Sequence, residues 1–271
     1  MKEKRMERGW NLVTGATGGL GGAFVQVLAE RNEPLFLTGR SEEKLANLKA
    51  QLQEKYPELL VEYTACDLTD SEDRTRLVSA LRTACERYGV SLKRLINVAG
   101  ADIQKPLTEY TEQKLLFQCR VNFESAVSLA RSSIEQGVKE IINISSVSGI
   151  YPMPYFAIYS ATKGALTSFS LSLREEMRGA GVKVTAILPG AIPTRDDVKE
   201  QIKGQGLWGK IAAKPPRFVA EKSLLAVSKN KGKVVVGFAN KLMNFGTKLI
   251  PLPIKLKFIA GRWSKIRKDS F

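Results

Sequence analysis

The amino-acid sequence predicts one α/β domain, a doubly wound parallel sheet of about seven strands with helices on both faces. Three observations predict it. Seven short runs rich in branched apolar residues recur along the 271 residues, their starts lie 23 to 52 residues apart, and helical patterns fill the gaps. A parallel strand buried on both faces reads as a continuous apolar run, and its crossover needs a dozen or more residues. With 44% apolar residues the chain has material for a sizeable core, and neither a linker nor an internal repeat divides it. Residues 1–271 therefore read as a single domain.

The elements follow in order. The first run, 12–14, leads through a glycine-rich turn into an apolar helix at 20–31. The second, 35–37, precedes a helix at 42–54, and the third, 61–64, precedes one at 72–87. Runs 95–98 and 141–144 flank a helix at 124–136. A helix at 159–178 joins the fifth strand to the sixth, 182–188, and 234–236 supplies the seventh. Sheets of this kind bind ligands beyond the carboxyl ends of their strands, so the residues that follow each run are the ones to read for function.

Composition narrows the chemistry. There is no histidine, which excludes a Ser-His-Asp triad, a His-ligated zinc site and an imidazole base. Cys66, Cys85 and Cys119 are odd in number and form no CxxC pair, so no disulfide framework and no metal site is expected, and a reducing cytoplasm fits best. Residues 1–10 mix basic and acidic side chains without an apolar core, unlike a secretory signal. Two uncharged stretches, 9–29 and 141–162, have the length of a membrane span, but the glycines of the first and the serines, prolines and Asn143 of the second are foreign to such a segment. The net charge of +15 is uneven: residues 1–198 hold 25 basic and 24 acidic side chains, residues 199–271 hold 17 and three. The basic end attracts anionic partners such as a phosphorylated cofactor, an acyl carrier, an anionic membrane surface or nucleic acid.

After the first strand the chain reads Thr14-Gly15-Ala16-Thr17-Gly18-Gly19-Leu20-Gly21, a TGxxxGxG spacing rather than GxGxxG. In this reading Gly15 permits a sharp turn, Gly19 lets backbone approach a pyrophosphate, and Gly21 lets helix and sheet pack closely. The phosphate would sit at the helix amino terminus. Here the chain resembles the short-chain dehydrogenase/reductase family, whose fold is Rossmann-like. Asp67-Leu68 follows the third strand, where that family contacts adenine. Asn97-Val98-Ala99-Gly100 follows the fourth and resembles the family's NNAG, with Val98 replacing the second Asn. Pro189-Gly190 with Thr194 follows the sixth and matches PGxxxT. The resemblance spans about residues 10–195. It implies cofactor contacts from Gly15, Thr17, Gly19, Leu20, Gly21, Asp67, Leu68, Asn97, Ala99, Gly100, Pro189, Gly190 and Thr194.

NAD sites of this type carry a carboxylate after the second strand to hold the ribose 2′-OH. Here that end reads Thr38-Gly39-Arg40. Arg40 pairing with a 2′-phosphate would contribute about 1.5–3 kcal/mol, or about 10- to 100-fold in affinity. The expected cofactor is NADP, with NADPH preferred over NADH; the alternative makes Arg40 a solvated loop charge.

Without histidine, the proton donor for carbonyl reduction is sought in Tyr159 and Lys163 of YSATK, which share a helix face at i and i+4. A free phenol titrates near about 10, and lowering that to about 7 takes about 4 kcal/mol. One cation about 4 Å away supplies about that much at an effective dielectric of 20. Tyr and Lys at this spacing also occur on ordinary helices. The neighbours change the reading, because Ser146 lies thirteen residues before Tyr159 and Asn122 stands on the preceding helix, as in the family. The resemblance implies Tyr159 as general acid or base, Lys163 lowering its pKa and holding the nicotinamide ribose, Ser146 on the substrate oxygen and Asn122 holding a relay water. Ser145 is the alternative serine, but Ser146 fits the spacing.

On the substrate side, residues 150–156 form an apolar, aromatic, proline-stiffened loop, with Tyr151, Met153 and Tyr155 as candidate pocket residues. Residues 191–216 place Trp208 among Gly204, Gly206 and Gly209 and read as a lid, as this region is in the family. The expected substrate is a lipophilic carbonyl or alcohol, steroid-like or long-chain acyl; ordinary core and turn residues are the alternative reading.

The basic extension 241–271 interleaves apolar side chains with eight basic ones, and Pro251 and Pro253 limit it to two short amphipathic pieces. It suits an anionic membrane surface at the inner face of a membrane, or packing on the body or a second subunit with its lysines solvated. A homo-oligomer, dimer or tetramer, is expected. Two other functions compete with a reductase: a non-catalytic NADP-binding regulator or scaffold, and a nucleic-acid binder driven by charge. No recognised nucleic-acid motif accompanies that charge, so no specific nucleic acid is expected.

Overall fold

The computed structural model describes residues 9–194, 198, 211–247 and 250–264. Seven strands lie parallel in one sheet in the order β3-β2-β1-β4-β5-β6-β7. They are β1 (Trp10–Thr14), β2 (Leu35–Gly39), β3 (Val61–Ala65), β4 (Leu92–Asn97), β5 (Glu140–Ile144), β6 (Lys183–Leu188) and β7 (Lys233–Val235). The order reverses direction between β1 and β4, and a crevice opens there beyond the carboxyl ends of the strands. Each expected strand is present.

Alternation along the strands sends side chains to two cores. On one face Val13, Leu35, Leu37, Ile96, Ile142 and Ile187 pack against α1 (Gly19–Ala29), α2 (Glu42–Lys55) and α7 (Pro216–Ser228). On the other, Leu12, Phe36, Leu95, Ile141 and Val184 meet α3 (Ser71–Tyr88), α5 (Ser125–Glu135) and α6 (Ala157–Glu176). Local chemistry sets the helix starts: Ser41 accepts from the Lys44 N–H to cap α2, and Asp70 accepts from the Glu72 and Asp73 N–H groups to cap α3. Glycine sets one end, Gly89 closing α3 at φ +62°.

Two stretches depart from the expected pattern. β4 begins at Leu92, not residue 95, because Lys93 and Arg94 belong to the strand and neutralise their charge on acidic neighbours. Lys93 Nζ lies 3.0 Å from Glu33, and the Arg94 guanidinium lies 2.6 Å from Glu140. The helix before β5 begins earlier than residue 124, as α4 (Glu112–Cys119), and reaches α5 through a wide π turn, Arg120–Glu124. Beyond β7 lie α8 (Phe238–Gly246) and α9 (Leu252–Trp263), with Pro251 immediately before α9. Among the described residues no helix is long and apolar enough to cross a membrane.

Candidate active site

The glycine turn joins β1 to α1 at the crevice. Gly15 has φ +64°, a conformation that side-chain-bearing residues rarely adopt, and its Cα hydrogen faces Ala99. A Cβ on Gly21 would lie 2.0 Å from the Gly15 carbonyl oxygen, so Gly21 admits the turn itself rather than the sheet. A Cβ on Gly19 would meet Thr194 at 2.6 Å, which brings the Thr of PGxxxT against the turn. The amino terminus of α1 is open: Gly18 makes no side-chain cap, no acidic residue stands in the first turn, and Thr17, Gly18 and Gly19 are exposed. Open N–H groups and three glycines without room for side chains form a cradle that fits a pyrophosphate.

The Thr14 hydroxyl pins this turn to the next strand. Its oxygen accepts from the Val98 and Ala99 N–H groups at 2.9 and 3.1 Å, tying the end of β1 to the end of β4. Asn97, expected to touch the cofactor, is the last residue of β4, and its side chain donates to Asn143, which in turn donates to Ser170 in α6. That ladder is buried, so Asn97 supports the floor of the crevice. Leu68 also turns inward, into the core beside α3, and the Asp67 carboxylate accepts from the Thr69 N–H and hydroxyl. Pro189 contributes its carbonyl to the Val147 N–H, and Gly190 lies against Asn240 of α8.

Arg40 immediately follows β2 and is exposed. Among the described residues it has no acidic partner, unlike Arg74, Arg94 and Arg217. Across the turn the Thr17 hydroxyl lies 3.5 Å from where a Cβ on Gly39, the residue before Arg40, would stand. A free guanidinium at this edge of the cradle fits a second phosphate.

Lys163, Ser146 and Asn122 converge on the opposite side. Lys163 is 4% exposed and its ammonium donates to the Ile144 carbonyl at 2.9 Å, at the end of β5. Burial pushes its pKa down to about 8, partly countered by Asp102. The ammonium lies 5.8 Å from the centre of the Tyr159 ring. Gly100 closes over it: a Cβ there would meet Lys163 Nζ at 3.2 Å and Asn122 at 3.0 Å.

The two serines divide. Ser145 donates to the Lys163 carbonyl and pairs with Thr167, both at 2.7 Å, which fixes it to α6. The Ser146 oxygen accepts from the Ser148 N–H at 3.1 Å, and among the described residues its hydroxyl proton has no acceptor. A Cβ on Gly149 would lie 2.6 Å from the Lys163 carbonyl carbon, so this glycine brings the serine loop onto α6. Asn122 stands in the π turn. Both ends of its amide hold the backbone of Ala101, at 2.7 and 2.9 Å, and it also donates to Thr162. This clamp on the loop after β4 goes beyond the water-holding role that the resemblance implied.

An apolar cavity of about 530 Å³ adjoins these groups, lined by Gly149, Ile150, Tyr151, Pro152, Met153, Pro154, Ala157, Ser160, Ala161 and Leu256. Tyr151 and Met153 are among its walls, and burial pushes the Tyr151 phenol up from its ordinary value. Tyr155 is not; it occupies φ +63° in the loop beside it. Trp208 and most of the expected lid, 195–197 and 199–210, lie outside the described residues. Sequence reasoning also missed the far wall. Leu256 comes from α9, and Trp263 of the same helix stacks at 6.5 Å on Phe156, whose ring stacks at 4.4 Å on Tyr159. Thr14 was legible only as a motif neighbour, Gly149 carried no signal in the sequence, and nothing local ties residue 263 to residue 156.

Comparison with known proteins agrees with this geometry. Residues 10–203 match the family model for short chain dehydrogenase. An uncharacterized oxidoreductase of Staphylococcus saprophyticus is 30% identical over 220 residues, 80% of this chain and 89% of that protein. The very-long-chain 3-oxoacyl-CoA reductase of Bos taurus is 32% identical over 199 residues, 69% of this chain and 60% of the bovine protein. L-sorbose reductase of Gluconobacter frateurii, solved with NADPH and L-sorbose, superposes with a TM-score of 0.74 at 25% identity, covering 86% of this chain and 96% of that one. A parallel sheet in this strand order, a glycine cradle at its reversal and a buried lysine one turn beyond a tyrosine thus coincide with a match over most of the chain: it belongs to the short-chain dehydrogenase family of oxidoreductases.

Proposed function

We propose that the protein is an NADP(H)-dependent carbonyl reductase, reversible as an alcohol dehydrogenase, acting on a lipophilic substrate. The observation that carries the reading is the buried Lys163 ammonium, held by one backbone carbonyl below the Tyr159 ring and beside an apolar cavity. The nicotinamide, when bound, supplies or receives the hydride. Tyr159 donates its phenolic proton to the carbonyl oxygen, and Lys163 stabilises the phenolate that forms. Ser146 donates a hydrogen bond to the same oxygen, and Asn122 holds the loop that borders the reacting groups. The glycine cradle takes the pyrophosphate and Arg40 the 2′-phosphate, which favours NADPH. Sorbose reductase, solved with NADPH, supports the cofactor, and the bovine acyl-CoA reductase supports a long-chain substrate.

The test is NADPH consumption, followed at its absorbance band, with ketones graded in size and polarity. Turnover should rise with the apolar bulk of the ketone and be slower with NADH. Absence of consumption across the series would remove the assignment.

A further inference from the structure

The two helices beyond β7 turn apolar stripes to solvent. In α8, Phe238, Leu242 and Phe245 recur at i, i+4 and i+7 and are 79%, 56% and 67% exposed. The opposite side of α8 is anchored: Asn240 is buried and donates to the carbonyls of Ala212 and Val236. In α9, Ile254 and Phe258 are 60% and 68% exposed, while Leu256 and Trp263, about half a turn round, face the cavity and Phe156. A helix apolar on both faces is normally covered on both. Basic side chains edge the uncovered stripes: Lys241 beside Leu242, and Lys257 and Arg262 beside Phe258, all exposed. Between residues 229 and 264 the chain carries eight basic side chains and no acidic one.

We infer that the outer face of α8 and α9 is a docking surface for an anionic lipid bilayer. Bulky apolar stripes flanked by Lys and Arg match the acyl and headgroup layers of such a membrane. A second copy fits badly, because a two-fold contact through this face would set Lys241, Lys257 and Arg262 against the same cations. α9 has 12 residues, about 18 Å at 1.5 Å per residue, against an apolar membrane layer of about 30 Å, so it lies on the surface rather than spanning it. In that pose α9 separates the bilayer from the cavity, with Leu256 on the inner side, and a lipophilic molecule leaving the membrane meets the cavity wall first. The docking goes beyond the reductase reading and its test needs no turnover; only the delivery of substrate rests on that reading.

The full-length chain is centrifuged with vesicles of phosphatidylcholine alone and of phosphatidylcholine mixed with phosphatidylglycerol. The wild type should pellet with the mixed vesicles, remain in the supernatant with the neutral ones, and be released progressively by salt. Leu242→Glu with Phe258→Glu should weaken pelleting by at least about tenfold, as should Lys241→Glu with Lys257→Glu, at unchanged thermal unfolding midpoints. A wild type that stays in the supernatant with both vesicles overturns the inference, and so does undiminished pelleting of the Leu242→Glu, Phe258→Glu variant. Light scattering that finds a dimer abolished by the same double variant, without vesicle binding, overturns it in favour of self-association.

Discussion

At the amino end of the sheet Arg94 is 5% exposed, and at the carboxyl end Lys163 is 4% exposed. Their surroundings differ. Arg94 meets Glu140 at 2.6 Å, the Asn11 amide oxygen at 2.6 Å and Glu33 at 3.3 Å, and Lys93 and Lys183 share those carboxylates. Among the described residues Lys163 has one carbonyl at 2.9 Å, the face of the Tyr159 ring at 5.8 Å and the attraction of Asp102. The first cation is compensated and joins β1, β4 and β5. The second is left partly uncompensated beside a tyrosine, the condition in which its field can act on a neighbour's proton. Perturbed charge at one end and satisfied charge at the other separates chemistry from scaffolding without reference to any motif.

The largest expected effect removes the proton donor. Tyr159→Phe should lower turnover by about 100- to 10,000-fold while NADPH titrations remain nearly unchanged, because the phenol and not the cradle is lost. Unaltered turnover would break the contrast between the ends. At the amino end, Glu140→Ala should leave turnover per folded molecule intact but destabilise the fold by about 3–5 kcal/mol in urea unfolding, by exposing Arg94 to an incomplete partner set. Arg40→Asp should shift the ratio of NADPH to NADH dissociation constants by about 10- to 100-fold toward NADH. It compares a free arginine with the paired Arg94.

Lys163 gives the smallest stability shift and the clearest sign. Its pKa in the fold, about 8, lies below the ordinary 10.5, so folding expels a proton between those values. The penalty is complete below pH 8 and fades as the pH rises toward 10.5. It amounts to about 3 kcal/mol, and Lys163→Met forfeits a hydrogen bond of about 1 kcal/mol in removing it. The variant should be inactive yet more stable by about 1–2 kcal/mol at pH 7, the gap closing by pH 10 in unfolding curves. In the wild type, kcat/KM for ketone reduction should fall above about pH 8, as the ammonium that supports the phenolate is lost.

Much of the sheet was legible because parallel strands buried on both faces leave continuous apolar runs, such as 141–144. The start of β4 was not, since Lys93 and Arg94 look like loop residues until Glu33 and Glu140 arrive from distant parts of the chain. The glycine turn and the residues of the tyrosine helix were legible as spacing. The inward turns of Asn97 and Leu68 were not, because spacing fixes the position of a residue along a strand and leaves open which partner its side chain finds. For α9 the pattern failed differently: with apolar residues on both faces, periodicity does not say which side packs on the body.

The π turn at Arg120–Glu124 has a further consequence. It amounts to one residue more than a regular helix would hold between α4 and α5. Deleting one residue there would restore an unbroken helix with little rotation of α4 against α5, because the bulge already absorbs the extra residue, but it would remove the wide turn from which the Asn122 amide reaches Ala101. The irregular turn thus lets Asn122 reach Ala101 without changing how α4 and α5 face the sheet, and the fold should tolerate loss of one residue within the turn, with loss of that clamp, more readily than in the regular helices on either side.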